Sequence, residues 1–395
     1  MLTGKGIKAL ASAASNGDPV VGLTHNFYRY PARFSPTFAA SAIELFSKPG
    51  HTVLDPYMGG GTTVVEALAS GRNAIGSDIN PLAVFITKVK TTKLKPAEKN
   101  RIVRWAVETV PQLKYNLTQE NSTFSLRDPR ARNLNLIKGR FIKKVLAVAL
   151  HSLSDLPTQN AKEFVRCAIL KTAQWALDGR RQSTSITDFR LRLKENVFEM
   201  LSGLFEFERA FSPVVDRNVK KTLIQSNASQ LHLCQPFSNS DLKADLVVTS
   251  PPYPGIHVLY HRWQVDGRKE TPAPYWIAGC QDGHGSSYYT FGCRKAKFLH
   301  SYFESSLQTL RSIREVMRPG AYIVQMIAFA NPAEHLPWYL TNMEDAGFVE
   351  ELTAFGSPQA KNGRIWRFVP NRRWHASLKG KTKGSNEVVL VHIAK

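Results

Sequence analysis

Residues 53–63 of this 395-residue chain are Val-Leu-Asp-Pro-Tyr-Met-Gly-Gly-Gly-Thr-Thr, and this stretch decides the fold class. The pattern predicts a short apolar strand, a glycine-rich turn and the start of a helix, because apolar residues recur at helical spacing from Val64 to Ala69. Glycine has no Cβ, so the backbone of such a turn can approach a ligand closely at the N-terminus of a helix. The sequence therefore predicts an α/β fold with a ligand site where the strand ends.

A second predicted strand follows the helix, from Asn73 to Asp78, and ends in an acidic side chain. In nucleotide-binding α/β folds, an acid about 20 residues after the glycine turn typically accepts hydrogen bonds from ribose hydroxyls. Asp78 is therefore a candidate ligand for a ribose.

A third motif, Asp-Leu-Val-Val-Thr-Ser-Pro-Pro-Tyr, occupies residues 245–253. It predicts a buried strand that stops at Pro251-Pro252, since proline cannot continue a ladder of hydrogen bonds and restricts the residue before it. The Ser250 hydroxyl and neighbouring carbonyls are expected to face one space, beside the flat ring of Tyr253. Such a corner suits a planar group that carries an amine. The alternative is a rigid turn after a core strand.

In this order, the three motifs resemble those of the S-adenosylmethionine-dependent DNA methyltransferases that modify exocyclic amines, at cytosine N4 or adenine N6. The resemblance implies that the glycine turn binds the methionine end of the cofactor and that the Ser-Pro-Pro-Tyr corner holds the target base. The segment His25–Phe34 is similar to one that helps to enclose the methionine moiety in this family. The implied cofactor-binding residues are Tyr30, Phe34, Asp55, Tyr57, Gly59, Gly61, Thr62, Asp78 and Asn227. The implied catalytic residues are Ser250, Pro251, Pro252 and Tyr253.

The resemblance also implies a Rossmann-like methyltransferase fold, with a mostly parallel twisted sheet that ends in an antiparallel hairpin. We predict that residues 1–90 and 221–395 form the two parts of this domain. Residues 91–220 have apolar residues at helical spacing and predict an all-helical insertion, which could be a DNA clamp, a target-recognition domain or scaffold. Residues 254–294 show little periodicity and predict a functional or mobile segment rather than core.

The chain carries 52 Lys and Arg residues against 31 Asp and Glu, a net charge of +21 that favours a polyanionic partner. Residues 357–384 contain eight basic residues and no acidic ones, interleaved with aromatic side chains. This basic stretch predicts contacts with the phosphates of double-stranded DNA, the alternative being a disordered basic loop. The predicted DNA-binding residues are Arg364, Arg367, Arg372, Arg373, Lys379 and Lys381.

Other compositional features exclude several classes of protein. No run of about 20 apolar residues is present, and the first 20 residues lack the apolar centre of a secretory signal, so a cytoplasmic protein without membrane contact is expected. The four cysteines fit no usual zinc template and are expected to be free thiols, with no bound metal. The resemblance is compatible with a partner from a restriction or defence system.

The reaction that the motifs predict needs no covalent enzyme intermediate. The lone pair of an aromatic amine is delocalised into the ring, and acceptance of its hydrogens by Ser250 Oγ and the Pro251 carbonyl would localise it. Serine at this position favours cytosine N4 over adenine N6, since relatives that act on adenine more often carry Asp or Asn there. Two other classes stay open, an RNA methyltransferase acting on a guanine amine and a catalytically silent nucleic-acid-binding protein.

Overall fold

The computed structural model describes residues 4–18, 20–30, 34–114, 128–136, 139–180, 182–211, 219–253, 262–265, 269–282, 299–329, 331–352, 360–369 and 385–395. The strands within these residues are β1 (Thr52–Asp55), β2 (Asn73–Asp78), β3 (Lys221–Gln225), β4 (Ala244–Thr249), β5 (Trp263–Val265), β6 (Lys269–Thr271), β7 (Met317–Ala328), β8 (Phe348–Glu350), β9 (Ala360–Lys361), β10 (Arg364–Val369) and β11 (Ser385–Ala394). The α-helices are α1 (Gly4–Ser15), α2 (Pro36–Phe46), α3 (Thr62–Ala69), α4 (Pro81–Lys90), α5 (Pro96–Arg104), α6 (Arg140–His151), α7 (Gln159–Leu177), α8 (Ile186–Phe211), α9 (Ala273–Ala278), α10 (Leu299–Glu315) and α11 (Pro332–Asp345).

One central sheet organises the molecule, in the strand order β3-β2-β1-β4-β7-β11-β10-β9. The first five of these strands are parallel, and β11 is antiparallel to β7. The far edge of β11 is shared by two short antiparallel strands that lie end to end, β10 along its first half and β8 along its last residues. This confirms the predicted α/β class and the antiparallel end of the sheet.

Successive apolar side chains along the strands point to opposite faces of the sheet, and they contribute to two cores, one on each face. On β1, for example, Val53 joins the larger core and Leu54 the smaller one. Helices α2, α3 and α4 cover the first face, and α10 and α11 cover the second. Helices on both faces are what a buried parallel sheet requires.

The regular elements that the structure describes between residues 91 and 220 are all helices, and α7 and α8 share the larger core with α3 and α4. These helices also hold the segment ahead of the glycine turn. Glu206 accepts from the Leu23 amide at 2.9 Å, Gln174 donates to the Arg29 carbonyl at 3.1 Å, and Phe27 contacts Phe164 edge to face. A Cβ at Gly203 would lie 2.2 Å from the Leu23 carbonyl oxygen, so glycine is required for this close approach. In the part of the chain that the structure describes, no helix is long and apolar enough to span a membrane.

The prediction that residues 254–294 lie outside the core is wrong for the part that the structure describes. Strands β5 and β6 form a hairpin, and all six residues of α9 are buried. Trp263 donates to the Tyr28 hydroxyl at 3.0 Å, and Arg166 of α7 donates to the Ile277 carbonyl at 2.9 Å. The segment therefore packs against the helical layer, while residues 254–261 and 283–298 lie outside the described residues.

Two further features concern β7 and β10. Residues Arg318-Pro319-Gly320 form an irregularity inside β7, where the register with β4 shifts and Gly320 has φ +78°. Part of the basic stretch is sheet rather than loop, because Arg364–Val369 pairs with β11 and its Ile365 is buried.

Candidate active site

The predicted site residues come from the carboxyl ends of adjacent parallel strands. Asp55 ends β1, Asp78 ends β2, and Asn227 and Ser250 follow β3 and β4. Thr249 Oγ1 donates to Asp55 Oδ1 at 2.7 Å, which joins the ends of β1 and β4 directly. This is the edge of an open α/β sheet at which ligands usually bind. The roles of these residues stay predictions.

The last residues of β1 and β2 hold the glycine turn in place through hydrogen bonds. Asp55 accepts from the Tyr57 amide at 3.1 Å, and Asp78 Oδ2 accepts from the Gly59 amide at 2.9 Å. The buried ammonium group of Lys90 donates to the Gly60 carbonyl at 2.6 Å. Sequence analysis missed Lys90, since a lysine at the end of a helix usually faces solvent.

Gly61 combines two requirements that no other residue type meets. Its φ is +75°, and an added Cβ would lie 2.5 Å from Thr87 Oγ1. We expect Gly61→Ala to lower the free energy of unfolding by roughly 2 kcal/mol or more and to weaken cofactor binding, because the turn must shift. Thermal denaturation and calorimetric titration would measure both, with Gly4→Ala, which meets no atom within 4 Å, as the control. Unchanged binding by Gly61→Ala would remove the turn from the site.

Burial changes the acid strength of both carboxylates. It raises the pKa of Asp55 to about 6, against the opposing hydrogen bonds from Thr249 and Thr63. Burial likewise raises the pKa of Asp78 to about 6, although the Asn80 and Gly59 amides donate to it. Two backbone donors leave part of the acceptor capacity of Asp78 for ribose hydroxyls.

The segment ahead of the turn lies against it. An added Cβ on Gly60 would lie 2.9 Å from the Cβ of Tyr30, and on Gly59 it would lie 3.3 Å from the ring. Phe34 is buried and contacts Phe38 edge to face at 5.4 Å. Asn227 is exposed, and its side chain accepts from the Ser229 amide at 3.1 Å.

Asn80 connects the elements around the predicted site, and sequence analysis missed it. Its amide donates to the Tyr30 hydroxyl at 3.2 Å, and its carbonyl oxygen accepts from the Leu82 amide at 2.9 Å and the Tyr275 hydroxyl at 3.1 Å. Asn80 thereby ties the segment ahead of the turn and the buried α9 to the start of α4. The Asn-Pro pair that begins α4 is a helix-capping signal and could have revealed it.

The Ser-Pro-Pro-Tyr corner is anchored on both sides. Ser250 Oγ lies 2.9 Å from the Met326 carbonyl oxygen, and the Tyr302 hydroxyl donates to the Pro252 carbonyl at 2.8 Å. A small cavity is lined by Tyr57 and Pro251 together with residues of α10, β7 and α11, so one residue of the glycine turn and one of the corner border the same space. The two predicted halves of the site are thus neighbours.

A charged pair that sequence analysis did not connect with the corner lies beside it. Tyr253 donates to Glu387 Oε1 at 2.9 Å, and Glu387 Oε2 is 2.5 Å from Arg367 Nε. Arg364 makes a bidentate pair with Glu350, at 2.5 and 2.6 Å. Both predicted DNA-binding arginines of β10 are therefore paired with carboxylates. The other predicted contacts, Arg372, Arg373, Lys379 and Lys381, lie outside the described residues.

The five parallel strands, the antiparallel β11 and the glycine turn at the carboxyl edge define a Rossmann-like α/β fold. Residues 12–88 match the N6/N4 methyltransferase family model, which is described as a DNA methylase. The match is to the family that the motifs predicted, and it covers the segment that contains the glycine turn and Asp78.

Type II methyltransferases are among its relatives. M.MvaI of Kocuria varians is 28% identical over 255 residues, which are 58% of this chain and 53% of that protein. M.MjaII of Methanocaldococcus jannaschii is 29% identical over 93 residues, 24% of this chain and 18% of that protein. M.BsoBI of Geobacillus stearothermophilus is 43% identical over 60 residues, 15% of this chain and 12% of that protein. The chain thus spans about half the length of M.MvaI and less of the other two.

Proposed function

We propose that this protein transfers a methyl group from S-adenosylmethionine to the exocyclic amine of a base in DNA, with cytosine N4 as the preferred target. The observation that carries the proposal is the 2.7 Å hydrogen bond between Thr249 and Asp55. It places the residue before Ser250 directly beside the start of the glycine turn. A base held at the corner and a cofactor held at the turn would therefore meet at one sheet edge.

The residues present fit S-adenosylmethionine. Asp78 would accept from the ribose hydroxyls, the backbone of residues 57–61 and the ring of Tyr30 would bound the methionine end, and Asn227 would lie over the adenine. When bound, the cofactor supplies an electrophilic methyl on a sulfonium, whose transfer forms an N–C bond, leaves the S–C electron pair on a neutral thioether and releases one amine proton to water. The protein would contribute mainly alignment, which can supply about 7–11 kcal/mol.

Ser250 would orient and polarise the amine. Its oxygen and the Pro251 carbonyl are the proposed acceptors for the two amine hydrogens, which localises the nitrogen lone pair. The ring of Tyr253 would stack on the base. A base inside a duplex cannot reach this corner, so the nucleotide must be extruded, at a cost of roughly a few kcal/mol.

DNA is the proposed substrate because the chain carries a net charge of +21 and its residues 12–88 match a DNA methylase family model. Cytosine is preferred because the corner holds serine, which both donates and accepts, rather than a carboxylate or amide. Adenine N6 is the second candidate target.

The test combines two measurements. Purified protein is incubated with labelled S-adenosylmethionine and with DNA or RNA in parallel, and the DNA is then digested to nucleosides and analysed by mass spectrometry. We expect the label to appear in DNA, and we expect the methylated nucleoside to be the deoxy form of N4-methylcytidine. If the product is methylated adenine, the target base is adenine instead of cytosine and the site assignments stand. Label in RNA alone would overturn the DNA proposal. No transfer to either nucleic acid would favour a catalytically silent binding protein.

A further inference from the structure

The Ser-Pro-Pro-Tyr corner is linked to the antiparallel end of the sheet by a chain of polar contacts. Ser250 Oγ lies 2.9 Å from the Met326 carbonyl oxygen and 3.2 Å from the Tyr253 hydroxyl. The same hydroxyl lies 2.9 Å from Glu387 Oε1, and Glu387 Oε2 lies 2.5 Å from Arg367 Nε. The order is therefore carbonyl, serine, tyrosine, carboxylate and guanidinium.

Only two protons are available on the hydroxyls that make these contacts. Serine and tyrosine each carry one, while the carbonyl of Met326 and an ion-paired carboxylate only accept. Glu387 is 8% exposed and forms a salt bridge with Arg367, so it is an acceptor. The Tyr253 proton therefore belongs to Glu387, and it is not directed at Ser250.

We infer that Glu387, held by Arg367, is a positioning residue that turns the Tyr253 proton away from Ser250 and so keeps the Ser250 oxygen an acceptor for the target amine. The inference rests on the proposed function. If Tyr253 donated to Ser250 instead, that donation would compete with the amine for the serine lone pairs. Glu387 itself touches neither the amine nor the cofactor in this scheme.

Arg367 determines the orientation of the side chain at position 387. Besides Glu387, it donates to the Ala14 carbonyl of α1 at 3.2 Å, and its side chain is only 17% exposed. Arginine has donors and no acceptor. Any side chain at position 387 that contains both an amide oxygen and an amide nitrogen must therefore turn the oxygen toward Arg367.

Glu387→Gln is the substitution that tests this orientation. The new amide would turn its oxygen to Arg367 and its NH₂ group to Tyr253, which makes the tyrosine an acceptor and redirects its proton to Ser250. We expect turnover to fall by about tenfold to a hundredfold, the size of one lost hydrogen bond to a reacting group. The KM for DNA and the dissociation constant of S-adenosylmethionine should stay within about twofold, since neither ligand contacts residue 387.

Rescue by a second substitution separates positioning from a structural role. Tyr253→Phe keeps the ring and removes the hydroxyl, so there is no proton to redirect. Whatever the turnover of Tyr253→Phe alone, we expect the double variant Tyr253→Phe/Glu387→Gln to match it, so that Glu387→Gln has no further effect once the hydroxyl is absent. Additive losses would overturn the inference and leave Glu387 as a structural pair.

Glu350→Gln is the matched control. Glu350 lies on β8 and forms two hydrogen bonds with Arg364, which lies on the same strand as Arg367, β10. The substitution removes an arginine–carboxylate pair of the same kind. It should lower the melting temperature about as much as Glu387→Gln does, without the loss of turnover.

A measurement without cofactor or DNA keeps the inference testable apart from activity. The chain has 12 tyrosines, and in protein labelled at tyrosine Cζ, the resonance missing from Tyr253→Phe is that of Tyr253. Donation to a carboxylate should place it downfield of the solvent-exposed tyrosines in the wild type, and Glu387→Gln should move it upfield. A wild-type resonance in the solvent-exposed range overturns the inference even if Glu387→Gln does not fold. Absence of methyl transfer by wild type would instead overturn the proposed function.

Discussion

Replacement of Ser250 by alanine is expected to lower turnover by one to two orders of magnitude while S-adenosylmethionine binds as before. The hydroxyl is the proposed acceptor for one amine hydrogen, and the loss of a group that acts in the transition state lowers kcat rather than ground-state binding. Its loss also leaves the Met326 carbonyl without this donor, which should cost only about 1 kcal/mol of stability. Initial rates and calorimetric titration would measure the two effects separately.

Ser312→Ala is the control for this prediction. The Ser312 side chain is buried on α10, its hydroxyl bonds to His232 at 2.8 Å, and it is not among the predicted site residues. It should lose a similar amount of stability and retain its turnover. If Ser250→Ala kept wild-type turnover, or lost stability in proportion to activity, Ser250 would be only part of a rigid turn.

Replacement of Asp78 by alanine is expected to weaken S-adenosylmethionine binding by roughly tenfold to a hundredfold, because polar groups of the ligand lose their acceptor. The wild-type affinity should also depend on pH. Burial raises the pKa of Asp78 to about 6, and the ribose hydroxyls need the carboxylate form. Affinity should therefore fall as pH decreases below 6, by up to about tenfold per pH unit.

The stability of the unliganded protein should change in the opposite direction. A carboxyl whose folded-state pKa lies above its ordinary value near 4 favours the folded state when protonated, so this contribution is present below pH 4 and is lost as pH rises through 6. Asp55, with its pKa also about 6, acts in the same sense. The increase in melting temperature caused by the ligand should consequently shrink between pH 7 and pH 5.

Asp178→Asn distinguishes Asp78 from acids that are merely buried. Burial also raises the pKa of Asp178, which accepts from the Gln264 amide at 3.0 Å and does not touch the glycine turn. This variant should keep the wild-type dependence of affinity on pH, whereas Asp78→Ala should flatten it. A pH dependence that survives in Asp78→Ala would assign it to another group.

The sequence predicted the elements whose signals are local. Strand alternation, the glycine turn and the proline stop each lie within a few residues, so β1, β4 and the order of the motifs could be derived. Glu387 could not be connected with Tyr253, because the two are 134 positions apart and only the antiparallel pairing of β11 brings them together. Helix α9 was missed for a different reason: every residue is buried, so no amphipathic period exists to detect.

Helices α7 and α8 contact residues 20–30, and these contacts restrict which segments could be exchanged between related proteins. The helices between residues 91 and 220 were predicted to form an insertion, and such a unit is often regarded as a module that can be exchanged between relatives at its two ends. Here its inner surface is shaped to a second, distant segment, since Gly203 admits the Leu23 carbonyl and Gln174 binds the Arg29 carbonyl. A chimera that imported only residues 91–220 would bring an inner surface shaped to another protein's segment. We expect viable exchanges to carry residues 20–30 as well, so that the two stretches are inherited together.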